Sequence, residues 1–198
     1  MAYRKGNAMN VKSFKTDFKG YTVIELMVTI SILGMLITTI MTSFISKMNI
    51  CGRVDREVEL QQQGLFMLCF IEEKIIESKG ITYVEDVSGK LMHHTNKKVK
   101  IKKIKFENNE NSVIKGYVFN LTKKTGANYY NLLYGKDSSN TGTVEVGNFI
   151  ENIELEPIPS DHSFVDSKGI VLRISLIYKE NRFCVENSFC FRNKIWEE

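Results

Sequence analysis

The spacing of hydrophobic positions changes twice along this chain. From 21 to 45 they are almost continuous. Leu26, Met27, Val28, Ile30, Ile32, Leu33, Met35, Leu36, Ile37, Ile40, Met41, Phe44 and Ile45 follow Glu25, and no further charge intervenes before Lys47. About 20 apolar residues cross a bilayer as a helix, so residues 21–45 predict a membrane-spanning helix with room to tilt. The spacing then becomes helical and one-sided. Val54, Val58, Leu65, Leu68 and Ile75, widened by Leu60, Met67, Ile71 and Ile76, alternate with Arg53, Asp55, Arg56, Glu57, Glu59, Glu72, Glu73 and Lys74. This predicts an amphipathic helix with one face on a domain. Gly80 is its predicted stop. Gly34, Gly52 and Gly64 weaken the helix by about 1 kcal/mol each relative to Ala.

Beyond Gly80 the period falls to that of short strands. Residues 81–84 and 91–94 are the first strand candidates. Val99, Ile101, Ile104 and Phe106 alternate with lysines, with a slip at Lys102-Lys103 that predicts a bulge. Residues 113–121 and 129–134 predict strands, 135–142 a polar loop, and 144–146 and 149–155 two further strands. In 170–178 the residues Ile170, Leu172, Ile174, Leu176 and Tyr178 share a face, as do Phe183, Val185, Phe189 and Phe191 in 182–192. With Lys179-Glu180-Asn181 as the turn, these form a hairpin with one half-buried face. The predicted fold class is α+β: a long amino-terminal helix, membrane-spanning in its first half, packed on an antiparallel β-sheet.

Charge changes the reading of the apolar run. Arg4, Lys5, Lys12, Lys15 and Lys19 precede it against the single acid Asp17. This leader accounts for the whole formal net charge of +4, so the rest of the chain is close to neutral and bulk charge does not point to nucleic acid. Basic residues ahead of the span place the amino end in the cytoplasm and the bulk of the chain outside. Glu25, in turn, is a carboxylate at the edge of hydrocarbon, which costs several kcal/mol unless it finds a partner. A secretory signal carries its cleavage site after the apolar region; here the candidate, Gly20, comes before it.

The stretch Lys19-Gly20-Tyr21-Thr22-Val23-Ile24-Glu25-Leu26, with the apolar run behind it, resembles the class III signal of type IV pilins and pseudopilins. The resemblance implies cleavage between Gly20 and Tyr21 by a prepilin peptidase and methylation of the new amino terminus at Tyr21, where the family usually has Phe. It also implies that Glu25 pairs with the free amine of a neighbouring subunit and sets register during assembly. Beginning at Met9 would give a leader closer to the family's usual length. The implied division is a leader at 1–20, a filament-core helix at 21–45, and a pilin-like domain of amphipathic helix and sheet at 46–198. Related filaments unwind this helix locally on assembly, which makes Gly34 the candidate position. The run Gln61-Gln62-Gln63-Gly64-Leu65-Phe66-Met67-Leu68, the segment from Ile71 to Ile75 and the ending Phe191-Arg192-Asn193 resemble PilW-like and type II secretion J-class minor subunits. The implied role is a structural subunit of a pilus or of a secretion or competence pseudopilus. Its partners would be other pilin subunits, the prepilin peptidase, and the assembly platform with its motor ATPase. The implied location is a single-pass membrane protein that leaves the membrane for an extracytoplasmic filament.

Candidates for chemistry are few. Cys51 and Cys69 lie on one predicted helix about 27 Å apart and do not pair. Cys184 and Cys190 share a strand face and would meet only if the chain turned at Asn187; free thiols are expected. His93-His94 are neighbours that a strand points to opposite faces, so no metal site is expected, and no cofactor is implied. Lys97, Lys98, Lys100, Lys102, Lys103 and Lys105 form the marked basic run, a candidate nucleic-acid contact or a solvated, lysine-protected edge. A DNA-binding subunit and a membrane-anchored enzyme are therefore the alternative functions, although no nucleophile–base pair or glycine-rich phosphate loop is evident. Intact-mass analysis of the native protein extracted from membranes is expected to find the residues through Gly20 lost and one methyl on Tyr21; an intact leader would instead describe a single-pass anchored domain.

Overall fold

In the computed structural model the described residues are 20–108, 113, 115–136 and 140–192; residues 1–19 of the leader and Asn193 lie outside them. The two predicted helical regimes form one helix, α1 (Val23–Glu77), of 55 residues. Both prolines of the chain fall far downstream, at Pro157 and Pro159, so nothing removes a helical hydrogen bond here. The stop is not at Gly80, which already belongs to the first strand. It is made by Ser78, a fully buried residue whose hydroxyl donates to the Ile75 carbonyl at 2.7 Å, after which the Lys79 amide donates to the Glu107 carbonyl at 2.6 Å. A side chain and a strand thus supply the bonds that a left-handed glycine would have supplied.

The chain divides into two compact units, Met1–Met48 and Asn49–Glu198. In the first, every described residue is exposed. Its hydroxyls fold back on the helix. Thr29 donates to the Leu26 carbonyl at 2.9 Å, Ser31 to Met27 at 2.8 Å, Thr39 to Met35 at 2.8 Å and Thr42 to Thr38 at 3.1 Å. These five hydroxyls, counting Thr38 bonded to the Met35 carbonyl at 2.9 Å, are satisfied within the helix, which is the condition for placing them in hydrocarbon.

The second unit pairs the remainder of α1 with a seven-stranded antiparallel sheet: β1 (Gly80–Asp86), β2 (Val99–Glu107), β3 (Gly116–Lys123), β4 (Tyr130–Lys136), β5 (Val144–Ile158), β6 (Gly169–Tyr178) and β7 (Asn181–Cys190). Neighbours in sequence are neighbours in the sheet, with one addition. The first half of β2 pairs with β5 (Val99↔Leu155, Ile101↔Ile153), whereas its second half pairs with β3 (Lys103↔Asn120, Glu107↔Gly116). The β3–β4 hairpin is therefore wedged between β2 and β5 at one end of the sheet. The predicted slip at Lys102 is the fork: across β1 the register passes from Glu85↔Lys103 to Asp86↔Ile101 and leaves Lys102 unopposed.

Several strand expectations are corrected. Residues 91–94 form only a bridge, Leu91 to Glu85, followed by a turn. β3 starts at Gly116, leaving Val113 exposed. β4 extends to Lys136, and residues 137–139 of the expected loop lie outside the described residues. β5 is one strand where two were expected. Its irregularity lies near Phe149 (φ 63°), where Tyr130↔Ile150 and Leu132↔Gly147 place Asn148 and Phe149 against Asn131 alone, a bulge rather than a break. The last hairpin is as expected, except that Asn181 already pairs with Tyr178, the turn is Lys179-Glu180, and β7 ends at Cys190 rather than running to Arg192. The register runs unbroken through Asn187↔Leu172, so there is no turn to bring Cys184 to Cys190; all four cysteines are exposed free thiols.

The face of α1 that meets the sheet is Leu60, Gly64, Met67, Leu68, Ile71 and Ile75. Val54, Val58 and Leu65, expected on that stripe, are exposed. Close approach selects this phase: a Cβ at Gly64 would stand 3.1 Å from Leu176 and from Phe183. On the sheet side, a Cβ at Gly147 would overlap the Met67 thioether, and Met67 is fully buried. Farther along, the Phe70 ring stands edge-on to Tyr134 (5.1 Å) and Phe119 (6.2 Å). Gly147→Val is expected to lower stability by about 1–3 kcal/mol through overpacking, read as a lower urea midpoint for the full chain in detergent.

Candidate assembly site at the start of the helix

Gly20 and Tyr21 precede α1, exposed and free of packing: nothing lies within 4 Å of a Cβ built on Gly20, and Tyr21 is 85% exposed. Thr22 is the N-cap. Its carbonyl accepts the Leu26 amide at 3.1 Å, the first turn of the helix. The Glu25 amide donates to Thr22 Oγ1 at 3.3 Å, while the Thr22 amide and hydroxyl donate to Glu25 Oε2 at 2.9 and 3.0 Å. This is a reciprocal capping box, Thr-x-x-Glu. The sequence reading assigned Glu25 to a partner subunit and missed Thr22, although the spacing at residues 22 and 25 was there to be read.

The box has a chemical consequence. An ionised carboxylate offers about four acceptor positions, and Thr22 occupies one oxygen only. Oε2 is held by two bonds from Thr22, and among the described residues Oε1 has no hydrogen-bond partner. The negative charge also sits at the positive end of the helix dipole, where it is favoured. Both members of the box lie after Gly20, so a chain cut there would keep it. Gly34 lies within continuous α1, with nothing within 4 Å of an added Cβ.

The basic run does not form a uniform surface. Glu154 on β5 takes Lys98 at 2.7 Å and Lys100 at 3.8 Å, with Arg173 at 3.6 Å. The Lys98 hydrogen bond, then the charges of Lys98, Lys100 and Arg173, hold the Glu154 carboxyl below the usual carboxylate range. Arg173 also pairs with Glu186, and Lys102 with Glu85 at 3.6 Å. Lys97 carries a backbone bond to Thr95 Oγ1 at 3.3 Å. Lys103 and Lys105 converge on Asn140. His93 and His94 occupy a turn rather than a strand, with ring centroids 4.2 Å apart. Among the described residues, no three His, Cys, Asp or Glu side chains are grouped to hold a metal ion.

A helix whose first part is long and apolar enough to cross a membrane, continuing as the packing partner of an antiparallel sheet, is an α+β arrangement consistent with the pilin-like fold. Residues 15–41 match the family described as the prokaryotic N-terminal methylation motif. The chain is thus type IV pilin- or pseudopilin-like, with a class III signal. The motif implies processing by a prepilin peptidase, assembly with other pilin subunits and membrane anchoring, and it suggests a structural subunit rather than an enzyme. Neither the curated proteins nor the solved structures gave a significant match.

Thr22→Val removes the hydroxyl from both sides of the box. A lost cap costs about 1 kcal/mol, so exchange of the first-turn amides in detergent micelles is expected to rise about fivefold, with Thr22→Ser close to wild type.

Proposed function

We propose that this chain is a minor pilin or pseudopilin, a structural subunit built into a pilus or secretion pseudopilus through the first part of α1. The observation that carries the reading is the pairing of a capped, half-occupied carboxylate with an apolar helix whose described side chains are all exposed before Met48. A surface of that kind needs lipid first and neighbouring helices afterwards.

In this reading the peptidase cuts between Gly20 and Tyr21, and Tyr21 becomes the methylated, cationic amino terminus. The open oxygen of Glu25 accepts that amine from an adjacent subunit. Alone in an apolar surrounding, either charge is costly; together they compensate, and removing one partner of such a pair costs about 3–5 kcal/mol. Because only one register brings amine and carboxylate together, the pair selects the axial position of each incoming subunit. Gly34, where no side chain packs, is the position at which the helix can give way during assembly. The assembly platform and its motor ATPase supply the work of extraction from the membrane. The amino end starts in the cytoplasm and the sheet domain outside. The likeness of residues 61–75 to PilW-like and type II secretion J-class subunits supports a minor rather than a major subunit.

The test is expression of the full chain in its native host, followed by shearing and fractionation. Gly20→Ala is expected to leave the precursor uncut in the membrane. Glu25→Ala is expected to be cut normally yet lost from the sheared filament fraction. Normal assembly of both variants would overturn the proposal.

A further inference from the structure

Within the basic run of β2, Lys103 and Lys105 differ from their neighbours. Lys98, Lys100 and Lys102 each have a carboxylate within 4 Å. Among the described residues neither Lys103 nor Lys105 has one. Their Nζ atoms instead meet at a single neutral acceptor, Asn140 Oδ1, at 3.4 and 2.9 Å. Beyond the bulge at Lys102 the strand is regular, and 103 and 105, two apart on it, share a face. The Tyr83 ring lies beneath both, 5.6 Å from Lys103 Nζ and 5.5 Å from Lys105 Nζ. Its own hydroxyl is anchored to Glu85 at 2.8 Å. Partial burial, then repulsion from Lys105, pushes the Lys103 ammonium below the usual lysine range despite the attraction of Glu85, which itself is engaged by Lys102 and the Tyr83 hydroxyl.

Two cations held against each other around one amide oxygen make an under-compensated arrangement. An amide oxygen carries only a partial charge, whereas an anionic oxygen in the same place would accept charge-assisted bonds from both ammonium groups and relieve their repulsion. We infer that Lys103 and Lys105, backed by Tyr83, form an oxyanion site for a phosphate or sulfate group, and that Asn140 Oδ1 stands where the anionic oxygen binds. The site is independent of the helix surface that carries assembly. Its ligand is a free oxyanion or the phosphodiester of a nucleic-acid strand, which present the same oxygens.

The experiment follows the lysine side-chain resonances of the full chain in detergent micelles. It is titrated with sodium phosphate, with sodium chloride at matched ionic strength, and with a short single-stranded oligodeoxynucleotide. The expected result is a saturable shift at Lys103 and Lys105 with phosphate, absent with chloride and absent at Lys98 and Lys100. Lys103→Gln and Lys105→Gln should each weaken phosphate binding on the order of tenfold, and Lys98→Gln should leave it unchanged. Asn140→Asp, which installs an internal carboxylate, should abolish it with the fold intact. Oligonucleotide binding at the same two lysines, weakening steeply with salt, would identify a phosphodiester ligand; phosphate binding without it would identify a free oxyanion. No saturable shift with either probe, or equal shifts at all four lysines or with chloride, would overturn the inference.

Discussion

The fold of the second unit depends on how closely one helix can approach one sheet. Glycine stands at the contact on both surfaces, Gly64 on α1 beneath Leu176 and Phe183, and Gly147 on β5 beneath Met67. With that spacing, Leu60, Met67, Ile71 and Ile75 reach the sheet and are withdrawn from water, each burial contributing roughly 1.5–3 kcal/mol. The sheet's own inner residues, among them Phe119, Ile150, Ile153, Leu172 and Ile174, join the same core, which Phe164 from the connection between β5 and β6 also enters. Helix and sheet therefore hold each other: the amphipathic part of α1 has too polar an outer face to form alone, and the sheet has too apolar an inner face to be left open.

The same helix meets a different demand toward its amino terminus. Before Met48 it presents apolar side chains on every side, turns its hydroxyls back onto its own carbonyls, and confines its one acid to the first turn. Thr22 makes that acid tolerable by taking part of its hydrogen-bonding capacity. The two Thr22 bonds orient the carboxylate, and among the described residues its other oxygen carries no hydrogen bond.

At the fork in the sheet, β2 exchanges β5 for β3, and at the same place its register against β1 slips at Lys102. That irregularity decides the chemistry of the basic run. On a uniform strand the lysines would be a solvated stripe. Here Glu154 gathers those before the fork with Arg173, Glu85 takes the one at the bulge, and the two beyond it are directed to a single oxygen. Basic residues alike in sequence thus end in different electrostatic settings because their acids come from β1 and β5, which are far from β2 in the chain.

Local periodicity carried much of this structure. The continuous apolar run, the helical stripe and the alternation at Ile170–Leu176 and Phe183–Phe189 are short-range patterns, and each element formed where its pattern stood. The slip at Lys102-Lys103 was visible for the same reason. So was the signal at residues 19–26, and so would have been the Thr22–Glu25 box. Tertiary structure decided what local patterns do not encode. The helix ended at Ser78 because a buried hydroxyl and the Glu107 carbonyl were available. Of the expected stripe, Leu60, Met67, Leu68, Ile71 and Ile75 are buried whereas Val54, Val58 and Leu65 are not, and Gly64 sits at the closest approach, where a Cβ would stand 3.1 Å from Leu176 and Phe183. β5 stayed whole through Gly147 and Phe149 because β4 pairs with it on both sides of the bulge, at Gly147 and at Ile150. The sequence by itself determined the long helix, its apolar first part and the alternating strands of the last hairpin, since those depend on residues a few positions apart. Partner strands, facing charges and close contacts depended on residues that only the folded chain brings together.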